Sequence, residues 1–311
     1  MHDTLPTILV NRRIFTLRSG WLPLAGLCVG FTVGLTGMGG GALMTPILVL
    51  IFKVDPLTAV SSDLVASLVM KPIGAGVHLR RSTVNLRLVR WLCLGSVPAA
   101  FAGVLILKSL GRGEHLQDQV KLLLGVALLL AAASLFAKGL VAGRRSSAPV
   151  AWDSTDIDVK VVPTVMIGAL GGLVVGMTSV GSGSLMIVLL LWLYPRLTAG
   201  QLVGTDLVQA IPLVASAALG HILFGDFKLG LTSSLLVGAL PGVYLGARVS
   251  AKASDHIVRP ALLLVLTVSA LKLLGLSNVA LAWTTGGLVI AIGLLLGQRS
   301  RRQPAATSTT D

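Results

Sequence analysis

The hydrophobic positions of this chain run almost unbroken for about 20 residues at a time between short polar breaks, the length that predicts a helix crossing a bilayer. The runs cover Trp21 to Gly37, Ala42 to Phe52, Thr58 to Leu79, Leu88 to Leu107 and Gln119 to Leu140. They resume as Val161 to Val180, Leu185 to Leu193, Gly200 to Phe224, Leu229 to Val249, Val258 to Leu274 and Val279 to Leu296. Strands of a transmembrane β-barrel would read as short alternating segments, so the continuous runs exclude one. The expected fold is an all-α polytopic membrane protein, with the bacterial cytoplasmic (inner) membrane as its location.

The pattern repeats itself. Gly26, Gly30 and Gly34 recur as Gly168, Gly172 and Gly176, and the same offset of 142 residues pairs Thr36/Thr178, Gly39/Gly181, Gly41/Gly183 and Met44/Met186. Further on the offset is 143 and pairs Asp63/Asp206, His78/His221, Gly95/Gly238, Pro98/Pro241 and Gly103/Gly246. The chain is therefore read as two tandem homologous repeats. The expected boundaries are a basic N-terminal segment (1–20), repeat 1 (21–140), a polar linker (141–160), repeat 2 (161–275), an extra C-terminal span (276–297) and a disordered tail (298–311).

Ala42 to Phe52 is too short to cross a membrane alone at 1.5 Å of rise per residue. Residues 21 to 53 then read as one span joined to a partial or re-entrant helix, which gives about four spans per repeat and eight or nine in all. A four-span count makes the copies parallel. The charges disagree, because Arg80 and Arg81 in the first copy match Gly225 and Asp226 in the second.

Composition agrees with the pattern: 54% hydrophobic and 12% charged residues, with a mean hydropathy of +0.89. A net charge of +13 invites a nucleic-acid reading, but the basic residues gather at the edges of apolar runs, as at Arg12, Arg13 and Arg18 or Arg80, Arg81, Arg87 and Arg90. They act as orientation signals, and no nucleic-acid partner is expected. Cys28 and Cys93 lie in apolar runs without metal-ligand spacing and read as small buried hydrophobes. No nucleotide loop, nucleophile elbow or ligand cluster occurs, so neither a cofactor nor enzymatic activity is expected.

The glycines divide into two sets. Those at intervals of four form a stripe that lets helix backbones approach closely. The next block, Leu35-Thr36-Gly37-Met38-Gly39-Gly40-Gly41 with its copy Met177-Thr178-Ser179-Val180-Gly181-Ser182-Gly183, holds too much Gly and Ser to continue a helix. Backbone broken at membrane depth is tolerated only where protein or a water-filled cavity satisfies its polar groups, and paired breaks in two repeats point to a transporter's binding site. Helices that restart near Gly41 and Gly183 would present free N–H groups to the cavity, which favours an anion. Thr36, Thr178, Ser179, Ser182 and Ser184 add hydroxyl donors, and plain tight turns remain the alternative.

Ionisable residues inside the runs supply further candidates. Lys71 lies mid-run beside Pro72, either facing a cavity as an anion ligand or snorkelling; its copy is Val214. Asp63 and Asp206 read as coupling or gating residues, or as carboxylates steadied by a helix N-terminus. His78 and His221 follow fifteen residues later, about 22 Å along a straight helix, so neither pairs with the aspartate of its own copy. They read as coupling residues or as interfacial histidines.

Gly34 to Gly41 with its copy, Ala59-Val60-Ser61-Ser62-Asp63 with Val203-Gly204-Thr205-Asp206, and Leu240 to Ala247 resemble the TauE/SafE sulfite exporter family, also called the 4-toluene sulfonate uptake permease family. The similarity covers about residues 20 to 275. It implies a secondary transporter of two four-span repeats that moves sulfite, sulfonates or related sulfur-containing anions; the coupling ion, proton or sodium, is left open. Ser61-Ser62 departs from the more typical Gly-Thr, and Ser179, Ser182 and Ser184 replace Gly37, Gly40 and Ala42, so the two halves of the site differ chemically. Two alternatives stay open: a cation or metal transporter using Asp63, Asp206, His78 and His221, and a non-transport membrane protein of sulfur metabolism.

Overall fold

The computed structural model describes residues 21–34, 41–80, 82, 84–111, 113–142, 158–250 and 255–287. The expected N-terminal segment, most of the linker, the tail and the end of the last apolar run lie outside them. The described chain is helical: α1 (Trp21–Gly34), α2 (Gly41–Leu50), α3 (Pro56–Arg80), α4 (Leu86–Ser109), α5 (Glu114–Ala142), α6 (Val161–Thr178), α7 (Leu185–Leu193), α8 (Ala199–Phe224), α9 (Leu229–Ser250), α10 (Asp255–Leu273) and α11 (278–287).

Local chemistry sets several ends. Asn85 caps α4, its Oδ1 accepting from the Leu88 amide at 3.0 Å. Thr198 and Gln201 form a capping box at the start of α8. Gly111 and Gly113 turn the chain between α4 and α5 with φ of +100° and +95°. Large apolar side chains remain exposed on outward faces, among them Leu94, Met166, Leu170, Trp192 and Val237, a surface suited to lipid rather than water. Cys28 is also exposed, not buried as expected, and Cys93 is half-buried.

The glycine stripe is where helices touch most closely. Gly168 lies on Leu92, Gly172 on Ser96 and Gly176 on Ala100, so α6 runs parallel to α4. At the sequence offset, Gly26 lies on Leu235 and Gly30 on Ala239, so α1 runs parallel to α9. Each early helix of one half therefore packs against a late helix of the other. At these positions a built Cβ would fall 2.2–2.4 Å from a backbone oxygen of the partner, which explains glycine there.

Directions follow from a few contacts. Ser61 faces His221 and Gly74 faces Leu207, so α3 and α8 are antiparallel. Short turns reverse α3 into α4 and α8 into α9, and so α4 opposes α9 and α6 opposes α1. The helices at the sequence offset, α3 with α8 and α1 with α6, therefore run in opposite directions, not in the common direction implied by a four-span count.

The physical reason lies at the break. Tyr194, just past α7, shares a hydrogen bond of 2.5 Å with Thr164 and accepts from the Lys160 amide at 3.0 Å, at the start of α6. The chain thus returns to where it entered. The α6–α7 pair therefore adds no net crossing. Thr45 beside Asp63 sets α2 against α3. Among the described residues six helices are long and apolar enough to cross a membrane, α3, α4, α5, α6, α8 and α9, fewer than the eight or nine counted from runs.

Tyr194→Phe tests the hairpin. Loss of the shared hydroxyl is expected to destabilise the purified protein by about 1–3 kcal/mol, since a buried partner is left unsatisfied. Thermal unfolding in detergent would show it; an unchanged midpoint would mean that these bonds do not hold α7 against α6.

Candidate functional site at the second helix break

Helix α6 stops because Ser179 adopts the left-handed conformation, φ +60°, while its amide still bonds the Val175 carbonyl at 2.7 Å. Thr178 turns its hydroxyl back onto the Val174 carbonyl at 2.6 Å and accepts from the Val180 amide at 3.2 Å. Gly181 and Gly183 then take φ of +126° and +94°, which favour glycine, and α7 begins after Ser184. The expected break and restart are both present.

Lys71 reaches this break. It is 6% exposed, and its Nζ donates to Ser182 Oγ at 2.6 Å, so the ammonium neither snorkels to the surface nor faces lipid. Ser184, 7% exposed at the N-cap of α7, makes no capping bond, and its Oγ has no partner among the described residues. The Met186 amide bonds the Gly181 carbonyl at 3.2 Å. A buried cation, a helix N-terminus and an unpartnered hydroxyl thus belong to the same break.

Asp63 lies on the other side of the break, fully buried. Its Oδ2 accepts from Thr45 at 2.7 Å and from Ser179 at 2.8 Å, and its Oδ1 accepts from Ser67 at 3.4 Å. The carboxylate therefore joins α2, α3 and the break. Asp206, 1% exposed on α8, accepts from Gln209 Nε2 at 3.3 Å, and Gln209 Oε1 accepts from Ser96 at 3.1 Å. Lys71 interacts electrostatically with Asp206 and, more weakly, with Asp63. Both carboxylates sit about two turns inside their helices, beyond the first turn where the helix dipole acts, so they do not cap them.

His221 is fully buried rather than interfacial. Its Nε2 lies 2.8 Å from the Gly176 carbonyl and its Nδ1 2.8 Å from Ser61 Oγ. A carbonyl only accepts, so Nε2 carries the hydrogen; Ser61 Oγ also lies 2.8 Å from the Leu57 carbonyl and has one hydrogen to give to that oxygen or to Nδ1. The ring ties α8 to α3 and α6. Its copy His78 is half-buried near the end of α3, about 10 Å of rise beyond Lys71.

A cavity of about 250 Å³ lies where α3 and α5 begin and α4 and α8 end, lined by Lys108, Gln117, His221 and Asp226 among apolar residues. Lys108 Nζ stands 4.1 Å from the Phe224 ring centroid at its wall. Neither Lys71 nor Ser182 lines it; His221, which does, also reaches the Gly176 carbonyl in the last turn of α6.

Of the expected site residues, the structure brings Lys71, Asp63, Ser179 and Ser182 together at one break, with Thr178, Gly181 and Gly183 shaping it. Thr36, Gly37, Gly39 and Gly40 lie outside the described residues; Gly41 is the first residue of α2. Thr45, Ser67, Gln209 and Ser96 were missed by the sequence reading. Each is a buried polar residue in an apolar run, a signal the search for duplicated positions passes over.

Comparisons with known proteins fit this architecture. The family model "Sulfite exporter TauE/SafE" matches residues 22–273. The "Probable membrane transporter protein YjnA" of Bacillus subtilis (strain 168) is 36% identical over 252 residues, 81% of this chain and 98% of its own length. From the same organism, "Probable membrane transporter protein YdhB" is 23% identical over 79% of this chain and 96% of its own length. No solved structure matches. The apolar helices and a family match over most of the chain make this a multi-pass integral membrane protein, and it belongs to the TauE/SafE family of membrane transporters.

Proposed function

We propose that the protein is a secondary permease for small sulfur-containing anions such as sulfite or organosulfonates, and that the anion binds between Lys71 and the N-terminus of α7. The observation that carries this reading is the buried Lys71 ammonium at 2.6 Å from Ser182, beside the unpartnered Ser184 hydroxyl. A tetrahedral or pyramidal oxyanion offers several acceptor oxygens, and an ammonium, hydroxyls and first-turn amides offer matching donors.

The opposite directions of α3 and α8 and of α1 and α6 support alternating access. Inverted halves place equivalent surfaces toward opposite sides of a membrane, and rocking one half against the other exposes a central site to each in turn. The cavity at His221 serves as the access vestibule, and His221, Asp63, Asp206 and His78 act in coupling or gating. The cation alternative is disfavoured because both ring nitrogens of His221 are already engaged, by Gly176 and Ser61, and among the described residues no three His, Cys, Asp or Glu come together.

The test is flux of labelled sulfite, sulfoacetate and a control cation into proteoliposomes, with Gly41→Leu and Gly183→Leu variants. Gly183 holds φ of +94°, so leucine there is strained by about 1–3 kcal/mol and shifts the donors of α7. Anion flux that falls in both folded variants is expected. Cation flux, or anion flux unchanged in both, contradicts the assignment.

A further inference from the structure

The centre of the protein carries an unbalanced charge set. Lys71 is the single cation there among the described residues, against the carboxylates of Asp63 and Asp206, all three buried. With both acids ionised the set sums to one negative charge, and a bound anion would deepen the deficit. Uncompensated charge at membrane depth is costly enough that a group neutralises instead.

We propose that Asp63 takes up a proton when the anion binds, so that the carrier moves its anion together with H⁺; this rests on the reading that the site holds an anion. The partners of the two carboxylates distinguish them. Gln209 gives Asp206 an amide N–H, which only donates, and cannot turn over without breaking the bond from Ser96 to Gln209 Oε1. Asp63 is held by hydroxyls alone, Thr45, Ser179 and Ser67. A hydroxyl donates to a carboxylate and accepts from a carboxylic acid, so this cage holds either protonation state with no heavy atom displaced.

The linkage runs through the break. Ser179 bonds Asp63 and Ser182 bonds Lys71, and only Val180 and Gly181 separate them. An anion that draws Lys71 away from Ser182 therefore acts on the segment that also holds Asp63, while removing the positive charge that favours the ionised carboxylate. The proton adds to a carboxylate oxygen of Asp63 from the side to which the site is open and leaves to the opposite side after the halves rock.

The other titratable groups around Asp63 are few. Lys71 shares α3, and α8 carries Asp206 and His221; α2, α6 and α7 carry none. On α9, Tyr244 and Arg248 are exposed, and on α5 Asp118 and Lys121 pair with each other near its exposed end. The proton is thus assigned within a set of four groups.

The experiment uses sulfoacetate, whose sulfonate stays ionised at working pH, in proteoliposomes holding a pH-sensitive dye, with the membrane potential clamped by potassium and valinomycin. Wild-type protein should acidify the lumen when sulfoacetate is added outside, in sodium-free buffer. Asp63→Asn should lose this acidification yet still exchange labelled sulfoacetate across equal concentrations, and Asp63→Glu should restore it. Should Asp63→Asn fail to fold, the wild-type dye signal and Thr45→Val, which removes one hydroxyl from the cage and is expected to shift the pH profile of uptake, carry the test. Sulfoacetate flux without acidification, flux that requires sodium, or acidification retained in Asp63→Asn would overturn the proposal. If neither sulfoacetate nor sulfite moves in wild type, the anion reading itself fails and this inference with it.

Discussion

Lys71→Met is expected to weaken binding of sulfite or a sulfonate by roughly ten- to a hundredfold, because a charge-assisted hydrogen bond contributes about 1.5–3 kcal/mol and each 1.4 kcal/mol is tenfold. Methionine keeps the length and apolar stem of lysine, so the site stays filled while the ammonium is removed. The loss has a second source: without Lys71 the two buried carboxylates lack their compensating cation, and an anion meets net repulsion. Lys71→Arg retains the charge but replaces a compact ammonium with a planar fork, and should recover only part of the affinity. Ligand-induced thermal stabilisation of the purified proteins measures this, since a ligand that binds the folded state raises its stability in proportion to occupancy. Equal stabilisation of wild type and Lys71→Met by the same anion would remove Lys71 from the site.

The second large effect concerns assembly. Gly172→Ala and Gly30→Ala are each expected to destabilise the protein by about 1–3 kcal/mol or more, because the added carbon has no room. At Gly172 it would lie 2.3 Å from the Ser96 carbonyl oxygen, and at Gly30 2.2 Å from that of Ala239. Both obstacles are helix backbone, which yields only if α6 parts from α4, or α1 from α9. Gly76→Ala is the control: nothing lies within 4 Å of its built Cβ, and alanine is the better helix former by about 1 kcal/mol. Thermal unfolding should rank the three variants with Gly76→Ala at or above wild type. A Gly172→Ala protein as stable as wild type would show that the stripe is not a contact of the folded state.

Membrane residence and the position of the second break were legible in the sequence because each depends on composition over many residues. Gly181 and Gly183 are glycines at positive φ, and Ser179 ends a helix where the Gly and Ser content predicts an end. Direction was not legible. Whether Leu185 to Leu193 continues across the membrane or returns depends on where Tyr194 lands, and its contact with Thr164 is a tertiary fact that no local pattern encodes.

Half of the site was hidden for a different reason. Duplicated positions led to Asp63, Asp206, Thr178, Gly181 and Gly183, but the side chains around the carboxylates occupy positions where the copies differ. Thr45 corresponds to Ile187, Ser67 to Ala210, Lys71 to Val214, Gln209 to Ala66 and Ser96 to Ala239. The glycines recur at the offset, and the buried polar groups around the carboxylates do not. Lys71 was found because it is charged; a buried hydroxyl or amide in an apolar run carries no comparable signal.

The central claim is that an anion sits between Lys71 and the start of α7, and its most direct measurement is the position of 2-bromoethanesulfonate in a structure of the protein, with the bromine located by anomalous scattering. The account predicts the sulfonate in contact with Lys71 Nζ and Ser184 Oγ at the Ser179–Ser184 break. A sulfonate bound elsewhere, whether in the cavity lined by Lys108 and Asp226 or against a surface arginine, with the Lys71–Ser182 bond intact, would contradict it.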